Sequence, residues 1–239
     1  MKTKMALMVS AVALGGCVSS VGDGGQGGQG SDTLSSADIA DASNATFGVG
    51  EPIPIPQDQI PQGNVRYDGI AGFQISDASG PVGVNMTAGV SDEIIGEMTA
   101  NVNFDDNTGN VEISNLGIYQ LPLFEEYETL APSDIELIGE VSGGFSGSGS
   151  VLVDFDDGAA DPAILSGDLS GSYSDGTSFS VSGDLEAELA VFVDEASGTT
   201  FFTFPLSGEV GDELDIELDG VAQESASVAG FGFAAEGGL

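Results

Sequence analysis

Ser178 to Val193 reads SFSVSGDLEAELAVFV. Phe179, Val181, Gly183, Leu185, Ala187, Leu189, Val191 and Val193 fall on one phase. Ser178, Ser180, Ser182, Asp184, Glu186 and Glu188 fall on the other, where Phe192 breaks the rule with a large apolar side chain. A period of two belongs to an extended strand with one dry face and one wet face. The same alternation spans Ile94 to Phe104. It recurs at Val111 and Ile113, at Ile135, Leu137, Val141 and Phe145, at Val151, Val153 and Phe155, and at Leu214, Ile216 and Leu218. Turn chemistry separates these runs at Asp105-Asp106-Asn107-Thr108-Gly109, Ser146-Gly147-Ser148-Gly149, Asp175-Gly176 and Gly211-Asp212. No run after Asn64 carries a helical period, so residues 64–239 are expected to form one all-β domain.

About eight to ten strands joined mostly by short turns predict a single antiparallel up-and-down β-barrel, because closure removes the exposed edges of a long meander. A two-sheet sandwich fits the same alternation. Glycines inside the runs (Gly96, Gly139, Gly143, Gly167, Gly171, Gly183) let strands bend at barrel corners. A membrane-spanning barrel fits poorly. The chain has no Trp and four Tyr, too few for two aromatic girdles, and it ends in Leu239 rather than an aromatic.

The chain begins with a different pattern. Lys2 and Lys4 precede the apolar run Met5–Leu14 and the small residues Gly15-Gly16, which is the layout of a signal peptide. Ten apolar residues are too few for a spanning helix, which needs about 20. The sole cysteine, Cys17, follows directly. Leu14-Gly15-Gly16-Cys17 resembles the lipobox of bacterial lipoproteins. That resemblance implies removal of residues 1–16, acylation of Cys17 (diacylglycerol, with palmitate-type chains) and anchoring in a membrane. Val18, where lipoproteins retained in the inner membrane carry Asp, points to the outer membrane, and the domain is expected at the cell surface, a placement this segment does not itself encode. Several chains on one residue give stable anchoring, where one gives marginal binding.

Residues 17–63 read as a tether. It is Gly/Gln-rich from Val21 to Gln29, and proline-rich and extended from Glu51 to Gln62. Ala37 to Phe47 has room for a short turn of helix.

Composition excludes whole classes of chemistry. There are no histidines, so no imidazole base or ligand, and a single Cys gives neither a disulfide nor a thiolate cluster. Three Lys and Arg face 39 Asp and Glu, a net charge of -36, which repels nucleic acid. Loss of the signal would leave Arg66 as the only cation. No cofactor and no metal site is expected. Asp154-Phe155-Asp156-Asp157-Gly158 and Asp105-Asp106-Asn107 read as turns rather than calcium loops, with at most weak divalent screening.

Gly96–Ile113 (GEMTANVNFDDNTGNVEI) and Gly149–Gly171 (GSVLVDFDDGAADPAILSGDLSG) resemble the hairpin signature of transferrin-binding-protein-like β-barrel lipoproteins. Ala222-Gln223-Glu224 with Ala229-Gly230-Phe231 is similar to the closing motif of that family. The resemblance implies a surface-exposed barrel that binds a protein or small solute and catalyses nothing. The competing expectations are a structural envelope lipoprotein without a specific ligand and a carboxylate-only hydrolase. Phe124, Glu125, Glu126 and Tyr127, between Pro122 and Pro132, form the one long stretch that fits no strand, and they are the candidate recognition loop.

Overall fold

The computed structural model describes residues 33–48, 52–56, 58–85, 87–123, 129–153, 161–194, 198–211 and 213–236. A helix, α1 (Ser36–Gly48), and a two-residue strand, β1 (Pro52–Ile53), precede the long β2 (Asn64–Asp77). Short strands β3 (Gly80–Pro81) and β4 (Val84–Asn85) lead into β5 (Val90–Asn103) and β6 (Thr108–Pro122). A single 3-10 turn at Pro132–Asp134 opens β7 (Glu136–Glu140), which is followed by β8 (Ser142–Leu152), β9 (Ala163–Ser172) and β10 (Ser178–Ala187). The chain then forms β11 (Leu189–Asp194), β12 (Thr200–Glu209), β13 (Leu214–Leu218), β14 (Val221–Ala222) and β15 (Ser227–Glu236).

Eight of these strands close into an antiparallel barrel in the order β2-β5-β6-β8-β9-β10-β12-β15 and back to β2. Each member follows its neighbour in sequence, so the barrel is the expected up-and-down meander. The seam between β10 and β12 is short, pairing only Glu186 with Ser207 and Ala187 with Leu206. Above it, β10 pairs instead with β13 from Phe179 to Gly183. Gly183, at φ 124, marks the handover, and a side chain there would strike the Glu213 carbonyl.

The predicted dry rows fill the interior. Tyr67, Phe73, Met98, Phe145, Phe202 and Phe204 are at most 2% exposed and belong to one cluster lined by all eight strands. Burying each such side chain contributes about 1.5–3 kcal/mol.

Three expectations need correction. Ser146-Gly147-Ser148-Gly149 is not a turn but lies within β8, paired with β6 and β9. Glycine is needed there for close approach: a Cβ on Gly149 would come within 2.5 Å of the Ala163 side chain. The run from Ser178 to Val193 is two strands, broken at Glu188, where the chain leaves β9 and joins β12. The folded unit also begins well before Asn64. Proline keeps residues 52–56 extended, and the Gln59 amide then closes a turn onto the Pro56 carbonyl at 2.7 Å, so the isoleucines on either side reach the sheet. Ile53 pairs with Val193, Ile55 is buried in the barrel cluster, and Ile60 packs against it at the end where β2 starts.

The helix lies on the outside. Leu34, Ile39, Ala40 and Ala42 cover Ile70 of β2, Ile95 of β5, Tyr119 and Leu121 of β6, and Leu130 and Ile135 beyond. Ser35 and Asp38 form its N-terminal capping box: the Asp38 carboxylate accepts from the Ser35 amide at 3.0 Å, and the Ser35 hydroxyl accepts from the Asp38 amide at 3.2 Å. The outward Phe192 is explained in the same way. It stacks on Phe201 at 5.6 Å, and Phe201 stacks on Phe233 at 5.0 Å, in an aromatic cluster on the outer wall.

Candidate functional site

Cys17 and the loop candidates Phe124, Glu125, Glu126 and Tyr127 lie outside the described residues, as do residues 154–158. The feet of the candidate loop are fixed. The Leu123 amide donates to the Gly89 carbonyl at 2.8 Å, and Asn44 of α1 makes a reciprocal pair with the Leu130 backbone at 2.8 and 3.0 Å. The loop therefore springs from the barrel end where β5 begins, beside the helix. The Asp105-Asp106-Asn107 segment is the β5–β6 turn, with Asn107 at φ 50. Its carboxylates serve that turn, accepting from the Gly63 amide at 3.2 Å and the Asn103 side chain at 3.1 Å. Among the described residues no group of three His, Cys, Asp or Glu is placed to hold a metal ion, and no helix is long and apolar enough to cross a membrane.

Alternation places consecutive residues on opposite faces, and this sorts the unusual groups of β5. Asp92 points inward opposite Gln120 and is 2% exposed. One of its oxygens accepts from Gln120 at 3.0 Å, and the other accepts from the amide (2.9 Å) and hydroxyl of Ser174. A buried carboxylate with this many donors is a structural tie, here joining the β9–β10 turn to β5. Beside it, burial and the Asp92 charge push the Tyr173 hydroxyl well above its usual range.

Glu93, the next residue, points outward under the face that α1 covers, with Tyr119 as its ladder partner. Burial pushes its carboxyl up to about 7. Ser91 shares that face; its hydroxyl is buried and has no hydrogen-bond partner among the described residues. Tyr119 donates to the Leu34 carbonyl at 2.6 Å, and burial raises its pKa to about 12. Inside the barrel the Tyr67 hydroxyl is likewise buried and unpartnered, and burial raises it strongly, with Glu236 adding to the shift. Asp92 and Glu93 thus sit on opposite sides of one sheet and share no cleft.

An open groove lies elsewhere among the described residues, on the outer wall toward the end where β2 starts. It has a volume of about 480 Å³ and is lined by Asn64, Asn101, Asn103, Thr108, Asn110 and Ser148, with Gly109, Gly149 and Ser150 completing it. Register explains the assembly. Asn64, Asn103, Thr108 and Ser150 are successive cross-strand partners over β2, β5, β6 and β8. Arg66, Asn101, Asn110 and Ser148 form the next row. Neighbours along a row are about 4.8 Å apart and the rows about 7 Å apart.

No charged residue lines the groove. The adjacent cation, Arg66, is held by Asp68: its Nε lies 2.8 and 2.9 Å from the two carboxylate oxygens, and Thr99 donates to the same carboxylate at 3.0 Å. Sequence reading missed this groove because its residues lie far apart along the chain. The one available signal was the Asn and Thr at the adjoining ends of the wet phases of β5 and β6 and the Ser along that of β8, with Glu93, Glu97 and Glu112 standing further along β5 and β6.

Comparison with known proteins found no matching family model and no curated protein or solved structure of significant similarity.

Proposed function

We propose that the chain is a non-enzymatic lipoprotein of the outer membrane, anchored through an acylated Cys17 and presenting its acidic β-barrel at the cell surface as an interaction domain. The observation that carries this reading is the position of the only cysteine, directly after the signal-like Met1–Gly16 segment. The fold supports a surface role. Phe73, Met98, Phe145, Phe202 and Phe204 occupy the barrel interior, so contacts with a partner fall to the outer walls and the loops. A structural envelope role without a ligand uses the same walls. The kinship with transferrin-binding-protein-like barrels rests on the two hairpin segments, which form β5–β6 and β8–β9.

Because α1 packs on the wall, the leash is shorter than the tether from 17 to 63. The residues between Cys17 and Thr33 reach roughly 50 Å even when fully extended. The barrel is therefore held near the bilayer. Cys17→Ser is expected to move the protein from the membrane to the soluble fraction. Unchanged membrane fractionation of that variant, in the presence of a folded barrel, would overturn the anchor.

A further inference from the structure

We infer that the groove across β2, β5, β6 and β8 is a binding site for a neutral, hydroxyl-rich ligand, namely a segment of an uncharged oligosaccharide. This deepens the surface-presentation reading and rests on it for its biological setting, although the site itself is independent of the anchor.

Three observations converge. First, the lining is made of amides and hydroxyls alone, in two registered rows. Amide and hydroxyl groups both donate and accept, as sugar hydroxyls do, whereas carboxylates at neutral pH only accept. Second, this composition is local. The chain carries 39 acidic residues against three cations, yet the groove has none of them in its lining, and Arg66 offsets Asp68 at its edge. An anionic ligand entering the groove would meet the field of the rest of the molecule, and a neutral one would not. Third, part of the lining is held in place. The Asn103 side chain accepts from the Asp105 amide at 3.0 Å and donates to Asp106 at 3.1 Å, so its orientation is set before a ligand arrives. Gly109 and Gly149 lie between the rows and line the groove with backbone alone, since side chains there would point into the barrel interior, toward Val151 and Ala163. The cross-strand spacing of about 4.8 Å is comparable to the length of one pyranose ring, so consecutive rings can meet consecutive strands.

An open polar groove without an aromatic platform binds weakly, in the millimolar range, since each solvent-exposed hydrogen bond contributes little net affinity. The test is an NMR titration of the full chain, ¹⁵N-labelled and purified as the cell makes it in a sugar-free detergent. The probes are maltoheptaose and cellopentaose, with oligogalacturonate as the acidic counterpart at equal ionic strength. The neutral sugars are expected to shift the side-chain amide signals of Asn64, Asn101, Asn103 and Asn110 saturably, and oligogalacturonate to leave them in place. Asn101→Asp with Asn110→Asp, and separately Ser148→Glu at an exposed position, are expected to weaken the neutral-sugar response at least about tenfold. The proposal is overturned if neither neutral sugar gives saturable shifts, if the acidic sugar binds equally well, or if the folded Ser148→Glu chain binds like the parent. Membrane fractionation of Cys17→Ser reads the anchor alone, so failure of one idea leaves the other testable.

Discussion

Glu93 shows how one residue's burial becomes a pH dependence. Its carboxyl sits on the outer face of β5 under the α1 side of the wall, and burial lifts it from 4.5 to about 7. A carboxyl raised in the folded state binds its proton more tightly there than in the unfolded chain. Its contribution is therefore fully present below pH 4.5 and is lost as pH rises through 7. Glu93→Gln keeps the shape and removes the titration. The variant is expected to be more stable than the parent at pH 8 by about 2–3 kcal/mol, with the gap closing near pH 5. Denaturant unfolding at the two pH values measures this, and an equal difference at both would show that Glu93 is solvated in the fold. Asp92, one residue earlier, faces the interior and is satisfied by Gln120 and Ser174, so the same side-chain chemistry has two opposite roles on adjacent residues.

Among the elements, α1 is the one whose place depends least on its own sequence. Ser35 and Asp38 cap its start, but its apolar side chains follow no clear helical stripe, and an isolated helix of this length is marginal. The barrel supplies what the segment lacks. Ile39 is 0% exposed against the wall, Asn44 pairs with Leu130, and Tyr119 reaches Leu34. Ile39→Asp places a carboxylate in that interface. It is expected to cost about 2–4 kcal/mol and to make the segment 33–48 quickly cleavable by protease while the far-UV β signal persists. Protection equal to that of the parent would mean that the helix does not depend on this contact. The proline-rich segment behaves in the same way. The extended form of residues 52–56 was predictable and the turn at 58–59 was not, and the burial of Ile55 exists only because the barrel end lies beside it.

At the scale of the whole molecule, charge opposes compactness. Most of the acids among the described residues lie on wet strand faces and in turns, and Arg66 is the sole Lys or Arg among those residues. Self-repulsion of this kind weakens when the screening length falls to about 3 Å at 1 M salt. The melting temperature is therefore expected to rise between low salt and 1 M NaCl, followed by the loss of the far-UV β signal on heating. A midpoint independent of salt would mean that the acids are spaced widely enough to ignore one another. The groove belongs to this scale as well, since its lining carries no charged side chain although Arg66 and Glu112 stand beside it on the same face.

The sequence by itself determined that the domain is built of strands and where several of them run, because side-chain direction alternates with each residue and the boundary between dry and wet faces is written locally in Val181, Leu185 or Ile216. It also determined the signal-like opening and the classes of chemistry that a chain without histidine cannot perform. Only the tertiary structure decided where β10 passes from β13 to β12, that Phe192 has aromatic neighbours outside the barrel, and that α1, Ile53, Ile55 and Ile60 belong to the folded unit. It also decided that Asn64, Asn101, Asn110 and Ser148 share one groove. These depend on strand register and on contacts between segments distant in the chain, and the free energy that fixes them comes from burial, which no local pattern encodes.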